Sequence, residues 1–242
     1  MKSGKPAIII LHGWGLTSKR FVPLSGALKK QGYRVFVPDL PGFGTSEMPT
    51  RPFTLADYVN FLDSYIQKRK LHSIVLIGHS FGGRVSLKYC MHERPHLKGL
   101  ILTGTPGFTP VPRKRLFAFI LVAKIGKFFF SGWPLNLIQK KIRVWYYYLV
   151  GAREFYRAEG VMRETFKLIV QEELLPYIRR VRVPCLLVWG ALDQITPVWI
   201  AEKMHKEMKT SKLVIIPDSG HGVPFKDPDL FVSHIEGFLQ SL

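Results

Sequence analysis

The sequence is poor in the residues that staple small folds or hold metals. Two of its 242 residues are cysteines, Cys90 and Cys185, and neither lies in a CxxC pair or beside a Cys/His cluster. That spacing argues against a disulfide scaffold and a zinc site, and it suits a reducing compartment, so a cytoplasmic location is expected. Acidic residues are also scarce, with 17 Asp and Glu against 35 Lys and Arg, for a formal charge of +18. Long apolar runs are missing. The opening MKSGKPAIIILHGWG carries a five-residue apolar run before His12, too short for a secretory leader and better read as a buried strand. The most hydrophobic stretch, LFAFILVAKIGKFFF at 116–130, falls short of the ~20 residues that span a bilayer. Lys124 and Lys127 also interrupt it, so an integral membrane protein is not expected. There is no internal repeat and no low-complexity tract.

What is present reads as one globular unit. Hydrophobic residues make up 47% of the chain and charged residues 21%, a balance that supports a packed core rather than disorder. The basic excess could draw the protein to nucleic acid, anionic lipid or an acidic protein. No zinc finger, RNA-recognition signature or basic helix accompanies it, so nucleic acid is the weakest of the three. The plain alternative is a solvated basic surface.

Short apolar runs alternate with helix-length segments. The runs are AIIIL (7–11), YRVFVP (33–38), SIVLIG (73–78), LKGLILT (97–103), VPCLLVWG (183–190) and KLVIIP (212–217). Helical spacing fills 18–32, 54–70 and 81–95, with Thr54 as a cap and Asp57 three residues on. Apolar strands alternating with amphipathic helices predict an α/β fold, a doubly wound and mostly parallel six-stranded sheet covered on both faces. The alternation stops between Thr103 and Val181. Residues 108–180 are rich in aromatics, lack a βα repeat and predict an inserted helical cap, with 1–107 and 181–242 forming the core. The cap holds fourteen basic and five acidic residues, a net +9 that is half of the total charge.

The chemistry-bearing pattern begins with Gly78-His79-Ser80-Phe81-Gly82, a GxSxG placed where a strand gives way to a helix. There the serine is held on a strained turn above the sheet, and the glycines let backbone and helix approach closely. Serine between glycines is also an ordinary turn, so the reading depends on a base. His221, on a Gly-flanked loop after the last strand, is the best placed of eight histidines. His12 and His79 are rivals near strand ends, and the other five read as surface positions. Asp193, in the loop after VPCLLVWG, supplies the acid that would orient the base. Asp218 sits within the base's own loop, and Asp39 in VPDLPGFGTS reads as a structural turn. Two backbone N–H groups, of Trp14 in LHGWGLTS and of Phe81, would form the oxyanion hole.

With HGWG, DLPGFGTS, GHSFGG, GALDQITP and SGHGVPF in this order, the chain resembles the α/β-hydrolase fold superfamily. The resemblance covers nearly everything but the cap. It implies a Ser80-Asp193-His221 hydrolase that works through an acyl-enzyme without metal or organic cofactor. Family members commonly carry two further strands before the HG strand. Here the expected sheet therefore has six parallel strands, with the second run at one edge and the first beside it, and with dimerisation as one way to protect that edge. The cap would lie over the nucleophile, with Phe108 and Trp133 as candidate wall residues. Gly13, His79, Ile195 and Val223 are further candidate substrate contacts beside the catalytic groups.

The expected substrate is a small-to-medium carboxylic ester. PGFGTS and SFGG also resemble carbon–carbon bond hydrolases of ring-fission products, but His79 stands where those have asparagine, and GVPFKDP lacks their tryptophan. Family precedent and the basic cap allow an ester or thioester on an acidic carrier protein, and the Arg113–Phe130 segment allows docking on an anionic membrane surface. A ligand-binding receptor on the same fold is the non-enzymatic alternative. Either a monomer or a homodimer fits.

Overall fold

The computed structural model of the protein describes residues 4–108 and 159–242. Most of the expected cap, Trp133 included, lies outside the described residues. In chain order the elements are β1 (Ala7–Leu11), a 3-10 turn (Ser18–Phe21), α1 (Val22–Lys30), β2 (Val35–Phe36), α2 (Leu55–Lys68), β3 (Ile74–His79), α3 (Phe81–Tyr89) and β4 (Leu97–Thr103). After the undescribed stretch come α4 (Gly160–Gln171), α5 (Leu175–Ile178), β5 (Cys185–Gly190), α6 (Val198–Glu207), β6 (Ser211–Ile216), α7 (Val223–Lys226) and α8 (Pro228–Gln240).

The six strands form one sheet in the order β2-β1-β3-β4-β5-β6, and every pair is parallel. Side chains alternate faces along a strand, and β1 shows the consequence. Ile9 and Leu11 join Leu55, Tyr58, Val85, Ile200 and Met204 in one core layer under α2, α3 and α6. Ile8 and Ile10 join Phe21, Leu24, Leu28, Phe231 and Ile235 in the opposite layer under α1 and α8. Both faces are thus dry, which is why the strands read as continuous apolar runs rather than alternating ones.

Local chemistry sets the element limits. The expected 18–32 helix is a 3-10 turn followed by α1, with Pro23 in the first turn, where its missing N–H costs nothing. Thr54 caps α2 in a reciprocal box: its backbone N–H donates to the Asp57 carboxylate at 2.7 Å, and Asp57 N–H donates back to Thr54 Oγ1. The expected strand at 33–38 shrinks to two residues, because Tyr33 N–H is spent on the Leu28 carbonyl closing α1 and Pro38 has no N–H to give. That shortness blunts the sheet edge, and the Arg34 and Arg69 guanidinium groups lie over the Phe36 ring.

The chain runs from β1 outward to β2, then crosses back to place β3 on the other side of β1. The point where β1 and β3 diverge is the topological switch of the sheet, where ligands of open parallel sheets bind at the carboxyl ends of the strands. Among the described residues, no helix is long and apolar enough to cross a membrane.

Candidate active site

Ser80 occupies the step between β3 and α3 with φ +52° and ψ −112°, a conformation that a residue with a Cβ rarely adopts. The surroundings hold it there. Its N–H donates to the Thr103 carbonyl at 3.0 Å, and its own carbonyl accepts from Gly83 N–H at 3.0 Å. At Gly82 a Cβ would fall 2.1 Å from the Leu11 carbonyl oxygen, so α3 can lie this close to the end of β1 only with glycine there. The HGWG loop closes on the same spot, because a Cβ on Gly13 would come within 3.3 Å of Ser80 Cβ.

Asp193 follows β5 and is 5% exposed. One carboxylate oxygen accepts from the N–H groups of Ile195 (2.9 Å) and Thr196 (2.8 Å). The other accepts from Thr196 Oγ1 (2.7 Å) and from His221 Nδ1 (2.8 Å). Burial opposes ionisation, but the hydrogen bonds from His221 and Thr196 outweigh it and hold the carboxyl below its ordinary range. An ionised Asp193 fixes the His221 tautomer with the proton on Nδ1, leaving Nε2 with a lone pair. His221 also packs against Gly104, whose φ of +55° and lack of a Cβ make room for the ring; a Cβ there would sit 2.7 Å from His221 Cε1. Among the described residues the Ser80 hydroxyl makes no hydrogen bond.

Thr196 was not a sequence candidate. Its hydroxyl donates to Asp193 and lies 3.2 Å from His221 Nδ1, and its carbonyl is pinned by the buried Trp189 indole N–H at 2.7 Å. The available signal was Asp-x-x-Thr-Pro directly after a strand, a spacing that folds a short side chain back onto the aspartate. His12, the rival imidazole after β1, has another task in the structure. Fully buried, it accepts from Leu40 N–H through Nε2 (2.9 Å), so its proton is on Nδ1 and is donated to the Gly13 carbonyl (2.8 Å). Burial depresses its pKa, and the neutral ring ties the HGWG loop to the segment after β2. Asp39 serves that same segment as the expected structural turn, accepting from Ser18 N–H, Thr45 N–H and Thr45 Oγ1.

Ser80, Thr196 and His221 open onto one cleft of about 460 Å³. Gly13, Trp14, His79, Ser80, Phe81 and His221 line it, and so do Phe108 and Ile195. Trp14 stands edge-on to Phe43, Phe81 and Phe166 at centroid distances of 4.9, 5.3 and 4.9 Å, so α4 supplies part of the apolar wall. Val223 corrects the expectation. It is 3% exposed and packs into the core layer under α1 and α8, while Phe225, on the other side of the same helical turn, reaches the cleft. His79 is buried, with its ring 4.8 Å from that of His221 and its Nδ1 unpartnered among the described residues. Burial and the neighbouring His221 push its pKa well down, so it stands as a neutral wall.

Arg84, one turn into α3, fastens α4 to this site. Its guanidinium donates to the carbonyls of Pro106, Ile169 and Glu172, so a buried cation closes the C-terminal end of α4 beside α3. Lys88 and Tyr177 add a second tie at the Glu172 carboxylate. Among the described residues no cluster of His, Cys, Asp and Glu could hold a metal ion.

Parallel sheets of this strand order, with a strained serine raised at the switch point, are the architecture of α/β-fold hydrolases. The chain belongs to that group: the alpha/beta hydrolase family model matches residues 8–234, and the protein is a hydrolase. It is 28% identical over 257 residues to the AB hydrolase superfamily protein YisY of Bacillus subtilis, covering 98% of this chain and 92% of that one. The identity is also 28% over 265 residues with a pimeloyl-[acyl-carrier protein] methyl ester esterase of a Shewanella species, covering 98% and 89%. Among solved structures, an esterase from Exiguobacterium antarcticum superposes with a TM-score of 0.74 at 24% identity over 99% of this chain and 93% of that one, a likeness of fold.

Proposed function

We propose that the protein hydrolyses small-to-medium carboxylic esters through an acyl-enzyme formed on Ser80. The observation that carries this reading is the bonded His221–Asp193 pair opening onto the same cleft as a serine held at positive φ. In the first half-reaction Ser80 Oγ bonds to the acyl carbon while His221 Nε2 takes the hydroxyl proton. The ester C–O bond then breaks, and the departing alkoxide takes that proton from Nε2. Water repeats the sequence on the acyl-enzyme: its oxygen bonds to the acyl carbon, its proton passes through His221, and Ser80 leaves as the hydroxyl. Asp193, ionised and buried, stabilises the imidazolium in both halves. The backbone N–H groups of Trp14 and Phe81 are assigned to the oxyanion; Phe81 opens α3, where an N–H has no partner within the helix.

The cap is assigned to 108–180 and the core to 1–107 and 181–242. Trp14, Phe166 and Ile169 give an apolar wall that suits an unbranched or aryl acyl chain. The chemistry calls for no cofactor, and two buried free cysteines suit a reducing compartment such as the cytoplasm. A second reading, an ester on an acidic carrier protein, is favoured by the relative named for that substrate and by the +9 of residues 108–180. Purified protein with p-nitrophenyl butyrate tests the first reading. Turnover is expected to vanish in Ser80→Ala and a fluorophosphonate probe to label the wild type alone; unchanged turnover in Ser80→Ala sinks the assignment.

A further inference from the structure

A second cavity adjoins the cleft. It measures about 400 Å³ and is lined by Gly15, Leu16, Thr17, Lys19, Arg20 and Phe225. Leu16 and Phe225 line both cavities, so the two adjoin across a shared wall. The wall is braced. The Phe225 ring meets Phe21 edge-on at 5.5 Å and His79 at 5.4 Å, and the Arg20 guanidinium rests 4.9 Å above its centroid. Lys19 and Arg20 are exposed, and among the described residues neither is paired with a carboxylate. The neighbouring acid, Asp39, is committed to Ser18 and Thr45.

The position of this basic ledge says which half of a substrate it meets. A leaving alcohol must receive its proton from His221, so its oxygen lies on the His221 side of the cleft. From His221 the wall runs through His79, 4.8 Å away between centroids, to Phe225 and then to Arg20. Trp14, Phe166 and Ile169 supply apolar lining that is left for the acyl chain, and among the described residues the cation lining the cleft, Arg84, is spent on the carbonyls of Pro106, Ile169 and Glu172. We propose that Lys19 and Arg20 form an anion subsite for the alcohol half of the ester, so that the preferred substrates release an alcohol bearing a phosphate or carboxylate. This deepens the ester-hydrolase reading and rests on it for the sidedness. It is independent of the charge carried by residues 109–158.

The test uses matched butyrates of one phenol scaffold: 4-(butyryloxy)benzoate, 4-(butyryloxy)phenyl phosphate and the neutral methyl 4-(butyryloxy)benzoate. In Lys19→Gln/Arg20→Gln, kcat/KM for the two anionic esters is expected to fall about tenfold through KM, the scale of two exposed charge contacts, while the neutral ester changes less than about twofold. Lys29→Gln/Lys30→Gln, which removes the same charge at the far end of α1, is expected to leave all three within about twofold. The relative loss on the two anionic esters tells phosphate from carboxylate. A parallel loss on all three esters, an equal loss in the far-side variant, or no loss overturns the subsite. Calorimetry with 4-hydroxyphenyl phosphate and 4-hydroxybenzoate separates this failure from that of the reaction. Binding of either that weakens about tenfold in the Lys19/Arg20 variant upholds the subsite even without turnover. Absence of binding rejects it, even where Ser80-dependent turnover of the neutral ester upholds the hydrolase.

Discussion

Replacing Ser80 by glycine and by alanine separates the strain at the elbow from the chemistry it serves. At φ +52° and ψ −112° a residue with a Cβ stores roughly 1–3 kcal/mol. Ser80→Gly releases that strain but gives up about 0.5–1 kcal/mol through the greater freedom of glycine in the unfolded chain. The net expectation is a stabilisation of about 1 kcal/mol. Ser80→Ala keeps the Cβ, the strained backbone and the hydrogen bonds from and to Thr103 and Gly83, so its stability should match the wild type. For a chain of this length 1 kcal/mol corresponds to a rise of ~2–4 °C in Tm. Differential scanning fluorimetry or urea unfolding of the three proteins gives the comparison, and both variants are expected to lose turnover by roughly three or more orders of magnitude. If the glycine variant melts no higher than the alanine variant, the backbone at Ser80 is not a reservoir of strain.

Thr196→Val keeps shape and removes one donor to the buried Asp193 carboxylate; kcat/KM is expected to fall ~10- to 100-fold with an unchanged circular dichroism spectrum, and an effect on neither kcat nor KM contradicts the role. Gly104→Ala places a Cβ 2.7 Å from His221 Cε1 at a φ of +55°, so Tm should drop by a few degrees, about 1–2 kcal/mol, while kcat falls far more than stability does. A loss of Tm with normal kcat would mean that His221 does not depend on this contact. Asp39 is held at about 2, below its ordinary 3.8: burial opposes ionisation, and the bonds from Ser18 and Thr45 overcome it. A depressed carboxyl contributes stability above about pH 4 and loses it as pH falls toward 2, so Asp39→Asn should cost about 1 kcal/mol near neutrality, after screening, and almost nothing near pH 2. Parallel pH curves for the two proteins would refute it.

Much of the fold was legible because burial on both faces leaves its mark on the sequence. β1, β3, β4 and β5 are apolar at nearly every position, and their limits lie within about two residues of those read from the apolar runs, in keeping with the usual disagreement at element ends. β2 was overread because nothing in YRVFVP says that Tyr33 N–H is spent closing α1. Ser80, Asp193 and His221 were legible as positions at strand ends, and the structure joins Asp193 to His221 and opens Ser80 and His221 onto one cleft, the arrangement on which the proposed triad rests. The site was not legible where a residue acts through the direction of its side chain. Val223 and Phe225 are two positions apart in one helical turn and so ~200° apart around it, and no pattern in seven residues of loop sets that rotation. Thr196 was hidden for the same reason: its partner is the second carboxylate oxygen of Asp193, a contact made by the turn and not by the sheet.

Three imidazoles converge on the strand ends, and their surroundings support His221 as the proposed base more firmly than their order in the chain does. His12 is buried and has committed both nitrogens, one as acceptor from Leu40 and one as donor to Gly13. Protonating it would place a second hydrogen against the Leu40 N–H and a charge where no water reaches. His79 is 1% exposed and faces His221 rather than a carboxylate, so a proton there would be both desolvated and repelled. His221 alone of the three combines a side chain partly open to the cleft, at 16% exposure, with a buried carboxylate on Nδ1. Asp193→Asn, which removes that charge, is expected to loosen the hold on the Nδ1 proton and to lower kcat in the ester assay, and an unchanged kcat would refute the proposed role. Of the three rings, His221 is the one that has both an opening onto the cleft and a carboxylate partner, which is what the proposed transfer of the Ser80 proton requires.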